Sequence, residues 1–313
     1  MALYRNNLPQ MSGRKLLTDG GIETTLIFHE GFELPLFAAY VLLGDEKGRA
    51  GLRDYYRKFI AIASEAGSGF ILESPTWRCS KGWGEKLGHD AEAIDRFNRE
   101  AVAMMADLRE EAQPLGPVVI SGCIGPAGDA YSPETQLTAK GSEAYHRDQI
   151  AVFAGTEADI VTAITMTHTG EAIGITHAAK AAGMPAAISF TVETDGRLPS
   201  GQPLREAIRE VDAATDGAPA YYMINCAHPD HFADVLKDDG SGWTARIHGL
   251  RANASRKSHA ELDEAETLDE GDPIELGRDY ASLSRLLPNL AVFGGCCGTD
   301  HRHVRAIAEI CCH

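Results

Sequence analysis

No run in this chain approaches the ~18 consecutive apolar residues needed to cross a bilayer, and Met1 to Lys15 holds no apolar core of the signal-peptide kind. A membrane protein is therefore not expected, and the cytoplasm is the expected location. Basic residues are scarce: 29 Lys and Arg against 45 Asp and Glu leave a formal charge of -16. Phosphate binding needs clustered Lys and Arg, so nucleic acid is excluded as a partner. Cysteine is also missing the dense, even spacing of a secreted disulfide framework. There are seven, an odd count, at positions 79, 123, 226, 296, 297, 311 and 312. A reducing compartment fits that pattern, and there thiolates survive as ligands. No composition break or linker cuts the chain, so residues 1-313 are read as one domain.

What is present is an ordinary soluble composition, 44% apolar and 24% charged over 313 residues, with ample chain for a sizeable core. Apolar runs that read as strands alternate with helical patterns. Strands are expected at 15–19, 69–74, 117–122, 159–165, 185–192, 220–225, 244–250 and 290–293. Helices are expected at 51–66, 91–112 (stopped by Pro114), 142–156, 170–182, 203–214, 229–237, 276–287 and 300–311. Residues 23–45 show no clear pattern, and the acidic stretch 258–272 reads as a solvated loop. Eight strand-helix units imply a parallel sheet closed into a single (β/α)8 TIM barrel, with its chemistry at the C-terminal strand ends. Asp19, Trp77, Cys123, Thr165, Asn225, Cys226, Asn253, Cys296 and Cys297 all fall at or just past those ends.

The stretch Ala291–Asp300 places Cys296 and Cys297 side by side where the last strand stops. Neighbouring strand residues point to opposite faces, so both sulfurs reach one point only if the backbone turns, which Gly294, Gly295 and Gly298 allow. A third cysteine, Cys226, ends the sixth strand. Such cysteines can be packed hydrophobes, and adjacent ones can form a vicinal disulfide. Strand-end placement, glycine flanks and the third thiol point instead to a metal. Three thiolates with an open fourth position describe a catalytic zinc site on the barrel rim rather than a closed structural one. Zinc held by three sulfurs is a weak Lewis acid for making hydroxide; its better use is to bind and deprotonate a substrate thiol. Alkyl transfer from an onium donor to that sulfur is the fitting reaction, an in-line displacement that needs positioning. Trp77 is read either as a ring facing a cationic methyl donor or as rim packing. Asp19 is read either as a substrate contact or as a turn cap.

At Asp19-Gly20-Gly21, Asn225-Cys226 and Gly294-Gly-Cys-Cys-Gly-Thr299 the sequence resembles the homocysteine S-methyltransferase family. Ala66-Gly67, Ser121-Gly-Cys-Ile-Gly-Pro126 and Ser189-Phe-Thr191 extend the resemblance over nearly the whole chain. The resemblance implies a zinc-dependent (β/α)8 barrel with Cys226, Cys296 and Cys297 as metal ligands. It further implies that Asp19, Gly20 and Gly21 line the thiol site, that Asn225 supports the sixth-strand ligand, and that Trp77 and Thr165 lie against substrate. Homocysteine, giving methionine, is the leading acceptor; a small-molecule thiol and a methyl donor such as betaine or S-methylmethionine are the expected partners, and a homo-oligomer is left open.

One residue departs from the family pattern. Ile164 stands at the end of strand four where a carboxylate for the amino group of homocysteine is usual. Either Glu171, Glu193 or Glu73 takes that role, or the acceptor is a thiol without an amine. Three rival readings remain: His228, His231, His301 and His303 as alternative ligands, a phosphate held by Gly294-Gly295 and the helix after it, and a non-catalytic zinc or redox-sensing barrel.

Overall fold

The apolar runs become eight parallel strands in the computed structural model, which describes residues 1–112, 116–130, 136–237 and 240–312. They are β1 (Leu16–Leu17), β2 (Gly69–Glu73), β3 (Val118–Ile124), β4 (Ile160–Met166), β5 (Ala186–Phe190), β6 (Tyr221–Asn225), β7 (Ile247–Ala252) and β8 (Val292–Gly295). Each pairs with the next, and β1 also pairs with β8 through Leu16–Val292 and Leu17–Phe293, which closes the barrel. One barrel helix follows each strand: α1 (Glu46–Glu65), α2 (Ala91–Glu111), α3 (Ala139–Ala154), α4 (Thr169–Ala181), α5 (Leu204–Thr215), α6 (Pro229–Phe232), α7 (Pro273–Leu283) and α8 (His301–Cys311). The expected (β/α)8 architecture is the observed one. Pro114 and His313 lie outside the described residues.

The strand pleat sorts side chains into two cores. Outward residues such as Phe70, Leu72, Val161 and Ile224 pack on the helices. Inward residues Leu16, Ile71, Val119, Ile160, Ala187, Tyr221, Met223 and Val292 fill the lower barrel, and Leu8 packs against them. Gln10 extends this closure of the N-terminal end by donating from Nε2 to the Tyr221 hydroxyl at 3.2 Å. One pleat step further along, the inward positions turn polar, and there the site begins.

Several boundaries differ from expectation, each for a local reason. Helix α1 starts at Glu46 rather than residue 51 because Asp45 caps it, accepting the Gly48 N–H at 2.8 Å. Strand β7 starts at Ile247 rather than 244. Arg246 sits in a 3-10 turn and reaches Asp212 on α5 at 2.8 Å, which takes it out of the ladder. Helix α6 is a single turn ending at Phe232. The stretch 258–272 is not merely a solvated loop. Ser258 and Glu261 form a reciprocal cap on a short helix, His259–Asp263, and His259 is buried. Residues 22–44 form a chain of short helical turns that leaves Phe28 and Phe37 exposed.

Candidate metal and substrate site

Above the apolar floor, the next inward layer contains Glu73 of β2, Ser121 of β3, Thr162 of β4 and Arg251 of β7, all buried. Arg251 is the electrostatic centre. Its Nη2 lies 2.8 Å from Asp19 Oδ1, and it donates to the carbonyls of Gly295 (3.0 Å) and Gly20 (3.1 Å) and to Thr18 Oγ1 (3.3 Å). Burial opposes its charge, but Asp19 and Glu73 outweigh that, and its pKa lies above the ordinary guanidinium value. Asp19 also accepts from the Tyr55 hydroxyl at 2.9 Å and from Thr18 Oγ1 at 3.0 Å. Burial and the Asp19 charge push the Tyr55 phenol up, so it stays a donor.

The three predicted cysteines meet on the rim. The sulfurs of Cys226, Cys296 and Cys297 lie within 4.8 Å of one another. Those of Cys226 and Cys296 are in bonding contact, their Cα atoms 5.4 Å apart. Backbone register fixes this. The N–H of Cys226 bonds the Arg251 carbonyl at 3.1 Å and that of Cys296 bonds the Ala252 carbonyl at 2.8 Å, so β7 holds both neighbours in step. Cys226 and Thr165 take left-handed backbone conformations, with φ of 53° and 67°, which side chains other than glycine rarely adopt. Asn225 stands behind the sulfurs. Its Oδ1 accepts from the Thr165 N–H (3.0 Å) and Ser189 Oγ (2.6 Å), and its Nδ2 donates to Thr165 Oγ1 (2.9 Å) and toward Cys296 Sγ (3.9 Å). Thr165 Oγ1 in turn points at Cys226 Sγ, 3.9 Å away.

Gly20 and Gly21 serve by having no side chain. A Cβ on Gly21 would lie 2.5 Å from the Cys296 carbonyl oxygen, and one on Gly20 2.8 Å from that of Thr299. The β1 loop can therefore press against the cysteine loop. A cavity of about 310 Å³ opens over the sulfurs, lined by Asp19, Gly20, Gly21, Trp77, Thr165 and the three cysteines among others. Trp77 contributes one ring face to its neighbour, with the Arg78 guanidinium 4.7 Å from the ring centroid. Cys123 also faces this cavity as a buried thiol whose pKa burial and Glu73 raise.

The rival readings fare less well. His303 bonds Asp300 and the Glu270 carbonyl, and His228 caps α6 by accepting the Asp230 N–H, so both are structural. The start of α8 is already filled by the Asp300 carboxylate, which accepts the Arg302 N–H at 2.8 Å where a phosphate would bind. Two other His-carboxylate groupings, His29–Glu270–Asp300 and His228–Asp230–Asp279, have arginines on their acids: Arg302 on Glu270 and Asp300, Arg256 on Asp230.

Residues 16–311 match the profile described as homocysteine S-methyltransferase. The chain belongs to the homocysteine S-methyltransferase family. It is 25% identical over 275 residues to betaine–homocysteine S-methyltransferase 1 of Rattus norvegicus and 26% identical over 273 residues to that of Bos taurus. Each alignment covers 82% of this chain and 63% of the relative, so the chain spans under two thirds of the length of these curated relatives. Among solved structures, it superposes on the homocysteine methyltransferase MmuM from Escherichia coli in an oxidised form with TM-score 0.73, 20% identity and coverage of 94% and 95% of the two chains. The metallated form of that protein gives TM-score 0.71, 18% identity and coverage of 96% and 97%. These likenesses speak for the fold.

Within this family member, the sequence reading missed Arg251, Tyr55 and His259, as well as Glu23, which lines the cavity. Arg251 stands just past the end of the expected seventh strand, and nothing in the sequence names its partners. His259 had no readable signal: it lies in an acidic stretch, yet its Nε2 is 2.6 Å from the Cys226 carbonyl and its Nδ1 3.3 Å from Glu193. Leu262, Leu268 and Asp269 of the same stretch line the cavity, so the insertion roofs the site.

Proposed function

We propose that this chain is a zinc-dependent S-methyltransferase that moves a methyl group from an onium donor to a substrate thiol, with homocysteine the leading acceptor. The carrying observation is the convergence of three sulfurs from β6 and β8 beneath a cavity large enough for two small ligands. The donor set fits zinc: about 2.3 Å zinc–sulfur bonds in a tetrahedron require sulfurs under about 4 Å apart, within reach of this cluster. Cys226, Cys296 and Cys297 would hold the metal, which supplies an open position where a substrate thiol loses its proton.

The chain's own residues set the stage for that chemistry. Thr165 and Asn225 aim hydroxyl and amide donors at the sulfurs, which spreads thiolate charge and fixes the ligands. Arg251 neutralises Asp19 and ties the β1 loop to the cysteine loop. The insertion and the aromatic residues Phe28, Phe37 and Trp77 line the cavity mouth, apolar surroundings that suit a donor carrying a methylated cation. Cys226 and Cys296 can hold metal only when reduced. Their bonding contact supports a second reading, a redox-responsive barrel in which the same thiols answer to oxidant.

Metal analysis of the reduced protein tests the site: one zinc per chain is expected, lost in Cys226→Ala. Unchanged zinc in that variant would remove these cysteines from the site. Mass spectrometry of thiols incubated with betaine, S-methylmethionine or dimethylsulfoniopropionate tests the reaction. A zinc-loaded protein that methylates no thiol with any of them leaves the redox reading in place.

A further inference from the structure

Glu73 closes β2 at an inward position, two residues beyond Ile71 of the barrel core, and lines the cavity. It is only 5% exposed; the Ser121 and Thr162 hydroxyls lie beside its carboxyl group, while its enclosed Oε2 has no hydrogen-bond partner among the described residues. Arg251 lends Glu73 its field, but the hydrogen bonds of all three guanidinium nitrogens go to Asp19, Gly20, Thr18 and Gly295. A buried carboxylate with an unmet acceptor calls for an N–H or O–H donor, preferably a charged one, from whatever fills the cavity. From β4, Ile164 faces the same cavity and offers no polar atom. Of the other acids, Asp19 is held by Arg251 and Tyr55, and Glu23 also lines the cavity but is only partly buried. Glu171 is held by His146 Nε2 (2.8 Å) and the Ala127 N–H (2.7 Å), and Glu193 is 40% exposed beside His259.

We infer that Glu73 is the ammonium-binding residue of the acceptor site, gripping the protonated amine of an amino-acid thiol. This rests on the cavity being the thiol site proposed above. The cation could come from the acceptor's amine or from the donor's onium centre. A trialkylsulfonium or quaternary ammonium centre has no N–H to give, whereas a primary ammonium supplies one to the carboxylate; S-methylmethionine carries such an amine as well, and the test below separates it from the acceptor. The acceptor is thus an amino acid despite the alkyl side chain at position 164, and its amine is read from β2.

Calorimetric binding to the reduced, zinc-loaded protein tests this, with L-homocysteine, amine-free 4-mercaptobutanoate, betaine and S-methylmethionine as probes. Wild type should prefer homocysteine to 4-mercaptobutanoate on the order of 10- to 100-fold, the value of one charge-assisted hydrogen bond. Glu73→Gln, confirmed folded by thermal melting, should erase that preference and leave 4-mercaptobutanoate and betaine within about twofold; Glu73→Ala should do the same. A preference that survives both substitutions or is erased instead by Glu23→Gln, a wild type without one, or a loss confined to betaine or S-methylmethionine would each overturn the assignment. The underlying reading fails separately. If wild type methylates thiols without regard to an amine, only the role of Glu73 falls; if the Glu73-dependent preference appears but no thiol is methylated, the assignment stands and the reaction falls.

Discussion

A guanidinium at the axis of a barrel is costly to bury unless its charge is met, and Arg251 is met by Asp19 and by the field of Glu73. Replacing it by methionine keeps the length and removes the charge, leaving two buried carboxylates without a counterion. We expect Arg251→Met to lose about 3–5 kcal/mol in urea unfolding. A loss under about 1 kcal/mol would mean that water already screens the group. Gly21 presents a steric version of the same dependence. Because an added Cβ would fall 2.5 Å from the Cys296 carbonyl, Gly21→Ala must push the cysteine loop away. A destabilisation of about 1–3 kcal/mol together with lower zinc content is expected; a variant with normal zinc content would show that the close approach has no bearing on the sulfurs. The clustering of the three cysteines was legible because cysteine is rare and glycine marks a turn. Arg251 and Tyr55 were not, because their partners are set by the barrel's closure.

The insertion between β7 and α7 is an element whose composition misleads. Several of its acidic residues face solvent, while His259 is buried and Leu262, Leu268 and Asp269 turn toward the cavity. A hydrogen bond from His259 to the carbonyl of Cys226 docks it on the loop after β6. His259→Ala should therefore raise amide exchange across 258–272 by roughly fivefold, the worth of about 1 kcal/mol, with β-strand amides unaffected. Uniform acceleration would show global destabilisation instead, and no change would show that the contact holds nothing. Elsewhere, helix starts shifted from expectation wherever a cap such as Asp45 lay outside the apolar periodicity, and β7 lost its first residues to the Arg246–Asp212 pair. Periodicity reports the buried face of an element; it does not report where side chains from other elements end it.

At the scale of the whole molecule, the buried acids should shape stability against pH. Burial pushes the Glu73 pKa from 4.5 up to about 7. Between those values the folded state binds a proton that the unfolded state has released, so folding stability falls as pH rises from about 4.5 through about 7. For metal-free, reduced protein, Glu73→Gln should remove up to about 3 kcal/mol of that decline and leave the variant more stable than wild type above pH 7. Parallel stability profiles for the two proteins would show that the carboxylate is already solvated. The sequence by itself determined the eight-fold alternation, and with it the barrel and the rim as the place of chemistry, because parallel strands require crossovers that leave a readable periodic record. It also marked the three cysteines, whose side-chain chemistry is intrinsic. The tertiary structure alone decided which charges face one another across the barrel, which carboxylate is left with an unmet oxygen and what roofs the cavity, since these depend on shear, pleat and closure between residues as distant in sequence as Leu16 and Val292.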